Sequence, residues 1–148
     1  MKFWKNALLF IIGGAGYVGL ELLWRRRSHS SMFILGGLCF LLLGKLRKIR
    51  PPFQVPRCVV GAGIITVMEF AAGLLVNRQH QVWNYCDLPF NLLGQICLPF
   101  SLAWVALSWV AVFLADAINY YVFEELPLPY YRCFGKIFLR FKEKSCNF

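Results

Sequence analysis

Four long apolar runs, separated by short basic or polar stretches, restrict this chain more than any other feature. They cover residues 7–23, 31–46 and 58–76, with a fourth inside 88–123. A helix of about 20 apolar residues matches the roughly 30 Å hydrocarbon core of a bilayer. Soluble packing cannot absorb four such runs in 148 residues, because a small domain leaves much of its surface in water. Hydrophobic residues make up 59% of the chain and charged ones 16%, well under the roughly 25% charged of soluble proteins. The same figures exclude a disordered chain, which is polar and charged. An all-α integral membrane protein is the class that remains.

The runs differ in what they allow. Trp4 and Trp24 bracket the first, 20 residues apart, where interfacial tryptophans belong. It reads as a retained helix, because no A-x-A-like cleavage site follows it. The apolar core of the second, 32–44, is short. The third carries one charge, Glu69. The fourth stretch is too long for one span and is interrupted by Pro99. Proline suits the first turn of a helix. The pattern therefore predicts a short re-entrant or interfacial helix over 89–98 and a main span over 99–120, with one long kinked helix as the alternative. That makes about four transmembrane helices.

The net charge of +9 would suggest nucleic acid in a soluble protein. Here the basic residues cluster between apolar runs, which is the pattern that orients loops across a membrane, and nucleic-acid binding is not expected. With the N-terminus inside, twelve of the 16 Lys and Arg fall in cytoplasmic segments. Arg25, Arg26 and Arg27 oppose that assignment. The expected domains are a transmembrane helical domain over 1–125 and a basic cytoplasmic tail over 126–148. In the tail, Tyr130, Phe134, Ile137, Phe138 and Phe141 recur at helical spacing, which predicts an amphipathic helix on the membrane surface. Leu126-Pro127-Leu128-Pro129 is a rigid break before it.

Several motifs fail for physical reasons. Gly14-Ala15-Gly16-Tyr17-Val18-Gly19 matches G-x-G-x-x-G. A dinucleotide site also needs a βαβ unit and an acidic residue about 20 positions on. No Asp or Glu occurs between Leu22 and Met68. These glycines, with Gly36, Gly37, Gly61 and Gly63, read as close-packing positions between membrane helices. There is no Walker A sequence. The six cysteines form no C-x-x-C pair, so no zinc site or disulfide framework is expected. His29 and His80 have no placed nucleophile, and no catalytic residue, cofactor or metal is assigned.

The informative residues are intramembrane acids. A carboxylate inside the bilayer is costly and is usually partnered or functional. Glu21 ends the first run, and Glu69 lies about 16 Å into the third. In the orientation above, both reach the outer half of the membrane. Asn91 and Gln95 approach from the outer side. The expectation is one polar cavity joining Glu21, Glu69, Asn91 and Gln95, with a buried structural network as its plain alternative.

Trp83-Asn84-Tyr85-Cys86-Asp87-Leu88-Pro89-Phe90-Asn91-Leu92-Leu93-Gly94-Gln95-Ile96-Cys97-Leu98 resembles the signature of a bacterial membrane family. That family is described as putative ABC-transporter type IV, or putative ABC transporter permease, and is common in Firmicutes. Its pattern is roughly W-D-Y-S-x-x-P-x-N-x-x-G-x-I-x-L before an apolar span containing Trp. Trp83, Tyr85, Pro89, Asn91, Gly94, Ile96 and Leu98 match, with Trp104 downstream. Glu69, Gly73 and Asn77 resemble the family's preceding E-x-x-x-G-x-x-x-N helix. Asn84 stands in place of the usual Asp and Cys86 in place of Ser. The resemblance implies a multi-pass permease-like subunit of the bacterial cell membrane, partnered by lipid and a separate ATPase. Four spans make a small permease unless it forms a homo-oligomer. A non-transporting scaffold or lipid-interacting protein is the alternative. The loop motif adds Trp83, Asn84 and Tyr85 to the candidate site, as a cap over Glu69.

Overall fold

The computed structural model describes residues 2–48, 54–124, 130–133, 136–140 and 142. Four helices carry the fold: α1 (Lys2–Arg25), α2 (Ser30–Gly44), α3 (Gln54–Val76) and α4 (Leu98–Tyr121). Three of them, α1, α3 and α4, are long and apolar enough to cross a membrane. The 15 residues of α2 rise only about 22 Å. Its start is fixed by His29, whose Nδ1 accepts the Ser31 N–H at 3.2 Å, the N-cap role of satisfying an orphan amide. Its end tightens into a 3₁₀ turn over Lys45–Lys48.

Helix α2 is the hub. It packs on α1, α3 and α4, and α3 packs on α4. Small residues set the first of these contacts. A methyl group on Gly37 would lie 2.7 Å from the Phe10 carbonyl oxygen, and one on Gly14 would lie 2.6 Å from that of Phe33. Gly36 meets Tyr17 in the same way. Between membrane helices there is no hydrophobic drive beyond that offered by lipid, so close backbone approach supplies the attraction. The glycine reading therefore holds for Gly14, Gly36, Gly37 and Gly61, but not for all. At Gly16, Gly19 and Gly63 an added methyl group would meet nothing within 4 Å. Thr66 Oγ1 donates to Ser101 Oγ at 3.1 Å across the α3–α4 seam. The buried centre holds Met32, Leu35, Cys39, Leu43, Ile65 and Val112.

Two expectations are corrected. The short helix expected over 89–98 is instead a tight hairpin, β1 (Asn91–Leu92) paired antiparallel with β2 (Ile96–Cys97). Leu93 and Gly94 both take positive φ, at 54° and 65°, and Gln95 N–H returns to the Leu92 carbonyl at 3.0 Å. A reversal with left-handed backbone is incompatible with a continuing right-handed helix. The main span then starts at Leu98, with proline in its first turn, where it fits.

In the tail, the expected amphipathic helix is replaced by a second hairpin, β3 (Tyr130–Cys133) and β4 (Lys136–Arg140). Its register pairs Tyr131 with Leu139 and Cys133 with Lys136. Aromatic and β-branched residues favour strands, and over so few positions an i, i+4 pattern does not separate helix from strand. Phe134, Phe141 and the 126–129 break lie outside the described residues. Strand β3 lies against α3.

The α1–α2 ridge yields a direct test. Gly37→Val should lower the unfolding midpoint in detergent, at a cost of about 1–3 kcal/mol for overpacking. Gly63→Ala should be neutral or stabilising by up to about 1 kcal/mol. Similar destabilisation by both would remove close packing as the basis of the α1–α2 contact.

Candidate functional site

Glu69, Gly73 and Asn77 recur every four residues, so they lie along one face of α3. Each meets a different part of the loop that follows. Asn77, 1% exposed, ends the helix and organises that loop. Its Oδ1 accepts the Val82 N–H at 2.8 Å and the Trp83 N–H at 3.3 Å. Its Nδ2 donates to the Trp83 carbonyl at 2.7 Å and to Gln95 Oε1 at 3.0 Å. Gln95 answers with Nε2 to the Asn77 carbonyl at 2.9 Å. Gln95 Oε1 occupies the space that a Cβ at Gly73 would need. The Trp83 indole N–H donates to the Gln95 carbonyl at 2.9 Å, and the residue is 2% exposed.

The rest of the loop is held by its own side chains. Asn84 Oδ1 accepts the Cys86 N–H at 2.9 Å, an Asx turn. Asn91 Nδ2 donates to the carbonyls of Cys86 at 3.1 Å and Leu88 at 2.9 Å, while its Oδ1 accepts Gly94 N–H at 3.1 Å. The His80 ring Nε2 donates to the Leu93 carbonyl at 2.8 Å. His80, Phe90 and Leu93 all have φ between 53° and 56°. Side chains other than glycine rarely adopt this conformation, and each such residue costs of order 1–3 kcal/mol. The side-chain hydrogen bonds enforce it. At Gly94 a Cβ would also strike the His80 ring, at 2.7 Å from Nε2.

This frame aims Tyr85 into the bundle. Its hydroxyl donates to Glu69 Oε1 at 2.8 Å, and the Trp104 indole N–H donates to Glu69 Oε2 at 3.0 Å. Glu69 is 2% exposed. The Phe100 ring stacks on Tyr85, with centroids 4.8 Å apart. Burial first, and the Glu69 carboxylate second, raise the Tyr85 phenol above its ordinary range. It therefore remains a proton donor to Glu69 at physiological pH.

Glu21 belongs to a separate cluster at the end of α1. Arg25 Nη2 donates to Glu21 Oε1, Ser28 Oγ donates to Glu21 Oε2 at 2.7 Å, and Arg25 Nη1 donates to the Val82 carbonyl at 3.0 Å. Arg25 thus ties α1 to the same loop. Two openings flank α1 and α4. One, of 240 Å³, runs between Gly16, Tyr17, Cys39, Glu69, Val110 and Leu114. The other, of 330 Å³, lies between Tyr17, Glu21, Trp24, Arg25, Tyr85 and Trp104.

Of the sequence-predicted residues, Glu69 and Tyr85 meet directly. Trp83 and Gln95 also meet directly, through the indole N–H, and share Asn77 as a common partner. Asn84 and Asn91 are exposed and turn back on the loop. Asn91 does not touch Glu69; its hydrogen bonds all stay within the 86–94 segment. The residues that sequence reasoning did not place in the site are Asn77, Trp104, Tyr17 and Ser28. Four-residue spacing from Glu69 was the available signal for Asn77. The arrangement offers a buried carboxylate with two neutral donors, beside an opening lined by residues of α1, α2, α3 and α4. Among the described residues, no group of three His, Cys, Asp or Glu side chains could hold a metal.

Asn77→Leu would orphan the Val82 and Trp83 amides and Gln95 Oε1, and should cost about 3 kcal/mol or more, read as detergent unfolding by tryptophan fluorescence. Asn84→Asp keeps the Oδ1 acceptor and should change stability by less than about 0.5 kcal/mol. A large loss with Asn84→Asp would remove the Asx turn as that residue's role. In a double-mutant cycle, Tyr85→Phe and Glu69→Leu should couple by about 0.5–3 kcal/mol, the range for contacting residues that share a hydrogen bond.

Neither a curated protein nor a solved structure matches the chain. A family model does, over residues 7–141, which takes in most of α1, all of α2, α3 and α4, and the loop between α3 and α4. That family is described as putative ABC-transporter type IV. With nearly the whole chain matched, this protein belongs to the putative ABC-transporter type IV family.

Proposed function

We propose that the chain is the permease-like, membrane-embedded subunit of a transport system, driven by an ATPase on a separate polypeptide. Family membership over residues 7–141 carries this reading. The absence of a Walker A sequence from the chain is why the ATPase is assigned elsewhere. In this reading the protein is multi-pass in a bacterial cell membrane, α2 completes four crossings, and both termini are cytoplasmic. The α3–α4 loop then faces outward. Polar backbone at such a depth is tolerable only where protein satisfies it, and the Asn77 and Gln95 bonds support that placement.

Glu69 is the residue proposed to act in transport. Its support is chemical. A carboxylate within an apolar bundle is expensive to keep, and here it sits beside an opening and below a strained loop. Strained backbone gathers where function requires a fixed geometry. Tyr85 and Trp104 hold the carboxylate in place, and the loop forms the outer cap.

Affinity purification from native membranes should recover a stoichiometric Walker-A ATPase with the chain. Its absence across several mild detergents would leave a non-transporting scaffold. Cys86 is exposed in the loop, so an impermeant thiol reagent should label it in intact cells. Labelling only after lysis would invert the orientation.

A further inference from the structure

Both openings lie along α1 and α4. Tyr17 of α1 and Trp104 of α4 bridge the seam between these helices, with ring centroids 6.3 Å apart. On one side of this bridge lies the 240 Å³ opening, lined by Gly16, Leu107, Val110 and Leu114 among others. On the other lies the 330 Å³ opening, which ends at Glu21, Trp24 and Arg25. Both share Tyr17 and Leu20, so they form one groove with a waist. Its margins are exposed and apolar, with Leu20 at 49% and Val110 at 58%.

The two ends differ in chemistry. The lining of the first opening is apolar apart from Tyr17 and Glu69, and both Glu69 oxygens already accept protein donors. Arg25 lines the far end, and Arg26 and Arg27 follow it directly in the chain. The charge of Arg25 is matched by Glu21. Arg26 and Arg27 are exposed, and their Cα atoms lie within about 8 Å of that of Arg25. The chain segment beside the mouth of the groove is therefore net positive. Three arginines on one short turn also run against the orienting charge pattern of the rest of the chain. A function at that end accounts for their position.

We propose that this groove binds a lipid with an anionic headgroup. The headgroup lies at Arg26 and Arg27, beside the Trp24 ring. An acyl chain passes the Tyr17–Trp104 waist and lies along Gly16 toward Leu114. Charge complementarity at the mouth selects the anion, since each basic residue near a membrane surface adds to the attraction for anionic lipid. The apolar lining accepts the chain by area burial. Gly16 is the residue that keeps the groove open: it lines the first opening, and a Cβ there would meet nothing within 4 Å. The site does not require an ATPase partner, so it stands apart from the transport reading.

Native mass spectrometry of the protein, exchanged in detergent with phosphatidylglycerol or phosphatidylcholine of identical chains, tests this. Wild type should retain phosphatidylglycerol about thirtyfold more strongly, the scale set by two basic residues near a headgroup. In Gly16→Leu the Cβ enters open space and the rest of the side chain projects into the opening that Gly16 lines, so the variant should fold and lose that lipid. Arg26→Gln with Arg27→Gln should fold and lose the preference while still taking either lipid weakly. Equal retention of both lipids by wild type would overturn the headgroup assignment. Unchanged retention by a folded Gly16→Leu would overturn the groove, as would a wild-type dimer that excludes lipid from this seam. Displacement of the lipid by glycerol phosphate alone, at similar concentration, would mean that a free phosphate is the ligand and would also overturn the proposal.

Discussion

Asn77 and Gln95 hold each other at both ends. Side-chain amide meets side-chain amide at 3.0 Å, and Gln95 returns to the Asn77 backbone at 2.9 Å. The pair is buried, so each bond is made where water cannot replace it. It fixes where α3 stops, where the Trp83 ring goes and how the hairpin before α4 is set. Tyr85 reaches Glu69 only because this frame has already placed the residues on either side of it. Buried polar networks of this kind are consequential when complete and damaging when one member is missing. Here the completeness is local: the side chains of residues 77–95 largely satisfy one another.

The helices themselves are joined by a different physics. Within a bilayer, apolar side chains gain nothing by leaving lipid for one another, and packing depends on shape and polar contacts. The α1–α2 pair uses glycine for close approach. The α3–α4 pair uses the loop, the Thr66–Ser101 bond and the Glu69–Trp104 bond. Near the start of α3 and the end of α4, Arg57 and Asp116 are both buried, and each is engaged in an interaction. Aromatic contacts mark the α1–α4 seam. It is bridged at Tyr17–Trp104 and by Lys5, whose ammonium sits 5.6 Å from the Phe123 ring centre.

Much of the helix layout was legible from residue order alone. Uninterrupted apolar runs and Pro99 set three helix positions closely, because length and proline placement are local constraints. The residues of the candidate site were legible as a set, but their partners were not. Glu21, Glu69, Asn91 and Gln95 fall at similar depths on straight helices, which suggested one cluster. Depth says nothing about azimuth, and the hairpin at Leu93 and Gly94 turned Asn91 away from Glu69. Positive φ at Phe90 and Leu93 has no signature in residue type, since neither is glycine or asparagine. The tail failed for a related reason: five apolar residues at spacings of three and four also fit two short paired strands.

Helix α2 is about 8 Å shorter than a typical hydrocarbon core, yet it is the member that all the other helices touch. Its neighbours at 23 and 24 residues are long enough to match that core. In the four-crossing arrangement proposed above, hydrophobic mismatch is concentrated at the centre of the bundle instead of along its rim. A thicker bilayer would pull on the ends of α2, where His29 and the 3₁₀ turn sit, while α1, α3 and α4 adapt by tilting. Because mismatch costs fractions of a kcal/mol per ångström, bilayer thickness becomes a variable that acts on the short hub first. The angle between α1 and its partners would then respond to lipid composition before any helix unfolds.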